Sequence, residues 1–385
     1  MYRRILKTQI MNWINVHKVI ILYGARQVGK TTLVKEIAGE IDSNYFYCDC
    51  ESYEIQEILN SRTISKLEVL LKGKKTVIFD EAQKVQYIGI ALKLIHDHLP
   101  EIQVIATGSS SFELANKVNE PLTGRNLKFL LYPISLGEIV NNSSGNDNVF
   151  SIGAKINNYL RFGFYPEVID QDIQNSEKYL RTIAADYLYK DALELGWVQK
   201  PIIYKNLLRT LAYLVSKETT INELSKKLGA DRETIERYID LLQKTFVIYV
   251  LRPLHRNHSK EISYPFKVYF WDVGIRNSII EDFRSIEIRD SNEIGSLWEN
   301  MCVIERIKNN EYNGIQKNYY FWRTRESSPK EYDLVEEKDG TMQVFEIKWS
   351  EDKAKKVKKY PAFFESYPNS TLDVIHSKNW YEWLV

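Results

Sequence analysis

Cysteine is scarce in this chain. Three cysteines in 385 residues cannot staple a disulfide scaffold, which points to a reducing compartment. Long apolar runs are missing too. No stretch approaches the ~18 apolar residues of a membrane span. No apolar run of signal-peptide length follows Met1-Tyr-Arg-Arg-Ile-Leu-Lys. Charge of one sign is not in excess. The 52 Lys+Arg against 51 Asp+Glu exclude a histone-like polycation and leave any nucleic-acid binding to local patches. There is no internal repeat and no low-complexity tract. What is present is an ordinary globular balance, 44% hydrophobic and 27% charged, enough to bury a full core. At ~100–200 residues per domain, the length predicts two or three domains. The expectation is a multidomain cytoplasmic protein with no membrane partner.

Lys18-Val-Ile-Ile-Leu-Tyr23 is a short apolar run rich in β-branched residues, and it ends at Gly24. Thr76–Phe79 and Gln103–Thr107 are two more such runs, with an amphipathic stretch, Ile88–Leu99, between them. Buried strands alternating with helices predict an α/β fold with a parallel sheet. Asn141–Asn148 is polar and turn-rich, and reads as a loop near a domain border. From about 155 to 245 the pattern is mostly helical, with Ala184, Ala185, Tyr187, Leu188, Leu193, Leu207, Leu208, Leu211 and Leu214 at spacings of three and four. Beyond about 262, β-type segments return: Phe266–Trp271, Lys317–Trp322 and Gln343–Lys348.

Gly24-Ala25-Arg26-Gln27-Val28-Gly29-Lys30-Thr31 fits G-x-x-x-x-G-K-[ST], after a strand and before a helix. Its backbone N–H groups and the helix N-terminus would face the phosphates of ATP. Lys30 would reach the β- and γ-phosphates, the Thr31 hydroxyl would sit on Mg2+, and Thr32 would extend the cradle. Asp80 and Glu81 end the next strand, where ligands of open α/β sheets bind. Asp80 would hold Mg2+ through water, and Glu81 would polarise the attacking water. Ser109, in Thr107-Gly-Ser109-Ser-Ser111, would report the γ-phosphate. Arg125 is open between a sensor or arginine finger, in cis or in trans, and a surface salt bridge.

Gly24–Thr32, Phe79-Asp-Glu-Ala-Gln83, Thr107–Ser111 and Leu122-Thr-Gly-Arg125 with Leu131–Glu138 resemble the AAA-type ATPases of bacteria and archaea. In that group a P-loop domain precedes a C-terminal domain of unknown function. Phe162-Gly-Phe-Tyr-Pro-Glu167 is similar to a short Gly-x-x-Pro element of the same group. The resemblance implies ATP hydrolysis and leaves open a homo-oligomer or a protein partner.

Thr219–Leu242 reads as two helices around Gly229-Ala-Asp231, the spacing of a helix-turn-helix with 232–243 as recognition helix. Phe246–Leu251 would start a wing. The second helix mixes Arg232, Arg237 and Lys244 with Glu233, Glu236 and Asp240, so duplex DNA competes with a protein-interaction or lid role. Arg252, His255, Arg256, His258 and Lys260 form a basic cluster that would touch phosphates or stay a solvated loop.

Glu331-Tyr-Asp333 precedes Glu346-Ile-Lys348 across a turn at Lys338-Asp-Gly340. Val344, Glu346 and Lys348 share one strand face, and Asp333 on the neighbouring strand can approach them. Two carboxylates and a lysine suit a divalent metal that activates water against a phosphodiester. With the helical Glu299 upstream, this order resembles the restriction-endonuclease-like nucleases. The resemblance implies metal binding by Glu299, Asp333 and Glu346, a second divalent metal, and Lys348 positioning the nucleophile. A salt-bridged strand face is the competing reading. Lys353, Lys355, Lys356, Lys358 and Lys359 are expected on a helix, solvated or on a nucleic-acid backbone. Cys48-Asp-Cys50, His96-x-His98 and the pair His255 and His258 are set aside as metal ligands.

The predicted architecture is a P-loop AAA-type ATPase domain over 1–140, a helical region over 141–260 with a winged-helix-like segment at 205–255, and a restriction-endonuclease-like α/β domain over 261–385.

Overall fold

The computed structural model describes residues 2–14, 16–109, 118, 121–143, 149–185, 198–254, 265–324, 326 and 329–385, without the side chains of 149 and 150. The chain divides into two units, Met1–Pro133 with Lys244–Phe246, and Ile134–Gln243 with Val247–Val385. Among the described residues no helix is long and apolar enough to cross a membrane.

The first unit is built on five parallel strands, as the alternating pattern predicts. They are β1 (Val19–Tyr23), β2 (Phe46–Asp49), β3 (Thr76–Asp80), β4 (Gln103–Gly108) and β5 (Asn126–Leu130), in the order β2-β3-β4-β1-β5. Every residue of β1, β3 and β4 is buried, so both faces of the sheet centre are covered. Ile20, Ile21 and Leu22 are fully buried, and each contributes on the order of 1.5–3 kcal/mol to the core. The helix Lys30–Ile41 leaves the end of β1 and the helix Ile88–His98 joins β3 to β4. The C-terminal ends of β1, β3 and β4 therefore lie side by side, and the loops that follow them form the site.

The second unit carries a seven-stranded sheet. Its strands are β6 (Glu218–Thr219), β7 (Ile248–Pro253), β8 (Phe266–Phe270), β9 (Asn318–Arg323), β10 (Glu331–Lys338), β11 (Thr341–Ile347) and β12 (Ser370–Ile375). Their order is β12-β11-β10-β9-β7-β8-β6. β10 and β11 form the expected hairpin, with Asp339 and Gly340 at φ +52° and +77° in its turn. The helices Ile221–Leu228 and Arg232–Lys244 flank Gly229 at φ +62°, and Thr220 opens the first with a reciprocal capping box through Glu223.

Residues on both sides of 260 share this one sheet. β7 pairs antiparallel with β8 and parallel with β9, where Arg252 lies opposite Tyr320. All five residues of β8 are buried. The strand expected to start a wing thus lies inside a larger sheet, between β9 and β8. The lysine run also differs from expectation. Its helix covers only Glu351–Ala354, and Lys355–Lys359 follow on irregular backbone. Pro361 two residues on starts the next helix, and a proline disfavours helix in the residue before it. Tyr187, Leu188, Leu193, Ser110, Ser111 and the cluster His255, Arg256, His258 and Lys260 lie outside the described residues.

Between 160 and 280 the packing is organised by the helix Val273–Ile279, every residue of which is buried. Asp272 caps it by accepting from Ile275 N at 3.0 Å and accepts also from Phe164 N at 2.6 Å. Asn277 donates to the carbonyls of Leu160 and Arg161 at 3.0 and 2.9 Å, and Arg276 to that of Ala212 at 2.8 Å. Gly163, at φ +71°, passes so close that a Cβ there would lie 2.1 Å from Asp272 Oδ1. The Phe162–Glu167 element is therefore a lock between two chain segments.

Candidate nucleotide site and a second carboxylate centre

The loop after β1 curls as its glycines allow. Gly24 has φ +152°, and a Cβ on it would meet the Leu131 carbonyl oxygen at 2.2 Å. Gly29, at φ +94°, starts the helix Lys30–Ile41. Between them Gln27 holds φ +60°, an uncommon value for a side-chain-bearing residue. Ala25 and Val28 are buried, Arg26 is half-buried, and Gln27 is exposed. Arg4 supports the loop from beneath. Its guanidinium is buried and donates to the Val28 carbonyl at 2.7 Å and the Tyr132 carbonyl at 2.6 Å.

Lys30 is buried, and its ammonium folds back across the loop, donating to the carbonyls of Gly24 and Ala25 at 2.9 and 2.8 Å. Burial pulls its pKa down to about 8, against the opposing pull of Glu81 and Asp80. Thr31 Oγ1 donates to Asp80 Oδ2 at 2.7 Å. Tyr47 donates to the same oxygen at 2.7 Å, and Thr107 donates to Asp80 Oδ1. Burial alone would raise the pKa of Asp80. The three hydroxyls and the Lys30 charge outweigh it and hold this carboxylate below its ordinary range. A hydroxyl and an ionised carboxylate converge here at the first turn of the phosphate-loop helix. Hard oxygen donors of this kind fit Mg2+.

Glu81 sits at the tip of β3 in a left-handed conformation, φ +51°. Its N–H donates to Thr107 Oγ1 at 3.2 Å. Gln83 donates through Nε2 to the Glu81 carboxylate and, at 3.2 Å, to Ser109 Oγ. Ser109 is buried and Thr32 exposed. The structure therefore brings Gly24, Ala25, Val28, Gly29, Lys30, Thr31, Asp80, Glu81 and Ser109 around one end of the sheet. Three partners escaped sequence reasoning as site residues: Arg4, Tyr47 and Gln83. Tyr47 carried little signal, because Phe46–Asp49 is a short edge strand of mixed composition. Arg4 carries no local signal, because its contacts lie 24 and 128 residues away.

Arg125 is not at this end. It precedes β5, and its carbonyl accepts from Val19 N, the first residue of β1. The strand between that point and the phosphate loop is five residues, about 16 Å at ~3.3 Å per residue. Arg125 Nε donates to Asp97 at 2.8 Å, and this guanidinium lowers the Asp97 pKa to about 2. Of the alternatives read from the sequence, the structure shows Arg125 in a salt bridge with Asp97, at the opposite end of the sheet from the phosphate loop.

The C-terminal carboxylates also converge. Asp333 Oδ2 accepts from Ile347 N at 2.7 Å and from Lys348 at 3.2 Å, and Lys348 lies 2.6 Å from Glu346. Glu299 accepts from Tyr269 at 2.8 Å. One further side chain stands among them. Lys267 on β8 places its ammonium 3.1 Å from Glu299, 3.8 Å from Asp333 and against Glu331. Burial raises the pKa of Glu299 and of Glu346, and the carboxylate of Asp333 adds to both. Among the described residues no group of three or more His, Cys, Asp or Glu is placed to hold a metal ion. The second metal expected at Glu299, Asp333 and Glu346 is therefore not supported, and Lys267 stands among these carboxylates. Its signal was readable: Phe266-Lys-Val-Tyr-Phe270 puts a lone lysine in an otherwise apolar strand.

Residues 16–140 match the family model described as an AAA domain. Residues 153–285 and 294–380 match two domains of unknown function, DUF8612 and DUF4143. The first unit is thus an AAA-type P-loop domain. The chain is similar to an uncharacterized protein of Methanocaldococcus jannaschii, 25% identical over 308 residues, covering 75% of this chain and 66% of that one. A protein of Haemophilus influenzae, also uncharacterized, is 23% identical over 290 residues, covering 71% of this chain and 72% of its own. The alignment thus spans about two thirds of these relatives. Among solved structures, the Thermotoga maritima RuvB Holliday junction branch migration motor is similar at a TM-score of 0.30 and 14% identity, covering 63% of this chain and 87% of that one.

Proposed function

We propose that this chain is a Mg2+-dependent ATPase that works as a nucleotide-controlled switch, and that its second unit contacts a partner without cutting it. The observation that carries the reading is the 2.7 Å contact between Thr31 and Asp80 beside the buried Lys30. Thr31 and Asp80 would hold the magnesium ion. Bound there, the ion would neutralise charge on the β- and γ-phosphates. The loop N–H groups from Ala25 to Thr32 cradle the phosphates, and Lys30 turns from its own loop carbonyls to a phosphate oxygen. Glu81 takes the proton of the attacking water, and Gln83 fixes the orientation of its carboxylate. Ser109, bonded to the same Gln83, links the end of β4 to that group.

The partner is the finer question. On the helix Arg232–Lys244, the exposed residues are Arg232, Glu233, Glu236, Arg237 and Asp240. Arg232 is bound to Glu236 at 3.3 Å. Such a face lacks the positive charge of a major-groove reader, which favours a protein partner or a second copy of the chain. The exposed lysines Lys353, Lys355, Lys356, Lys358 and Lys359 support a second reading, in which double-stranded DNA is bound through its phosphates.

The test is phosphate release by the wild type and Glu81→Gln, with and without double-stranded DNA. Release that depends on Glu81 and ignores DNA supports the protein-directed switch. Release stimulated by DNA supports the second reading. Wild-type protein that binds ATP and releases no phosphate overturns both.

A further inference from the structure

Lys267 occupies a strand with no exposed residue, and its side chain is 3% exposed. A lysine is almost never buried to this extent unless it is paired. Here it has three carboxylate partners, Glu299, Asp333 and Glu331. Tyr269, two residues along the same strand face, adds a hydrogen bond to Glu299. Lys348 closes the opposite side against Asp333 and Glu346. Glu346 is 8% exposed, and its Oε2 is buried with no hydrogen-bond partner.

Carboxylates gathered in a buried space repel one another and require positive charge among them. A divalent cation meets that need with oxygens at ~2.0–2.6 Å. A fixed ammonium meets it at ion-pair distance, and Lys267 does so with a hydrogen bond to Glu299 at 3.1 Å, a contact to Glu331 and a longer approach of 3.8 Å to Asp333. We propose that the Lys267 ammonium takes the place of a divalent cation among Glu299, Glu331 and Asp333. The native centre then binds no metal there, and removal of Lys267 converts it into a site for a hard divalent ion. The carboxylates serve as a cage for a tethered cation, and no metal-bound water forms to attack a phosphodiester. The free Glu346 oxygen is the additional ligand that an incoming ion would recruit. The proposal is independent of ATP hydrolysis, since none of these residues belongs to the phosphate loop.

The experiment is a Mn2+ titration of the full-length, nucleotide-free chain, read by loss of the free-ion paramagnetic resonance signal. Ions held elsewhere on the chain are common to every variant and cancel. The wild type and Asp333→Asn are expected to bind the same number of ions. Lys267→Met is expected to bind one more, and Lys267→Met/Asp333→Asn to lose it again. A wild-type ion that disappears in Asp333→Asn overturns the proposal, as does a folded Lys267→Met protein that gains none. Should Lys267→Met not fold, Lys267→Met/Glu299→Gln removes one charge of each sign and keeps Asp333 and Glu346. That variant is read in the same way.

Discussion

The guanidinium of Arg4 hydrogen-bonds the carbonyl of Val28, inside the phosphate loop, at 2.7 Å. The same group reaches Tyr132, just beyond β5, so one buried arginine ties the chain start to the loop and to the sheet edge. Each such charge-assisted bond is worth about 1.5–3 kcal/mol. Arg4→Ala would leave two buried carbonyls without this donor. It should lower unfolding free energy by about 3 kcal/mol and weaken ATP binding. Denaturant unfolding and nucleotide titration check both.

Glu81→Gln keeps the shape of the side chain and removes its basicity. ATP binding should be retained, while phosphate release falls by ~10²–10⁴-fold. Single-turnover hydrolysis with a parallel binding measurement separates the two effects.

Lys30 gives a pH dependence with a definite sign. Burial favours its neutral form, so it loses its proton above about pH 8 in the free protein. Bound phosphates raise that pKa by their charge. Below about pH 8 the lysine is charged in both states and contributes no pH dependence. Above that point binding must take up a proton, so affinity falls by up to ~tenfold per pH unit until the bound-state pKa is reached. Calorimetry in buffers of differing ionisation enthalpy should show proton uptake at pH 9 and little at pH 7. A binding enthalpy at pH 9 that does not vary with the buffer would contradict this account.

Gly163→Ala should destabilise by roughly 3 kcal/mol, because the left-handed backbone and the Asp272 carboxylate both oppose a Cβ. Thermal melting checks the loss. Gly314, also at positive φ (+69°), has nothing within 4 Å of its would-be Cβ, so alanine there should cost less.

Arg125→Ala should leave hydrolysis within about twofold of the wild type, since Arg125 is bound to Asp97 at the far end of the sheet. An arginine acting on the transition state from a second copy would instead cost ~10³-fold. The steady-state rate across protein concentrations distinguishes them.

How much of this was legible follows from where each signal is stored. The strands Val19–Tyr23, Thr76–Asp80 and Gln103–Gly108 are fully buried, so their apolar runs announced them. Phe46–Asp49 and Asn126–Leu130 lie at the sheet edges, half-covered, and their mixed composition hid them. The phosphate loop was readable because its residues are contiguous. Arg125 stayed open between two readings because its neighbours suggested a motif, while strand direction fixes the end of the sheet it occupies. Asp333, Glu346 and Lys348 were read correctly as neighbours. Their chemistry depends also on Lys267, which stands out as a lone lysine in an apolar strand but lies 66 residues before Asp333, so nothing local joined it to them.

The pairing of β7 with β9 has a consequence for inheritance. A segment joined to its neighbours only by a linker can be gained, lost or exchanged between genes without harm to the rest. Here, a cut at residue 260 would leave β6 and β7 on one piece and β8 and β9 on the other, so β9 would lose its neighbour β7 and be left with a bare edge. Exposed edges of that kind recruit other chains into aggregates. The helix-turn-helix segment and the C-terminal hairpin are therefore bound to travel together through evolution, and a change of partner has to come by altering surface residues in place.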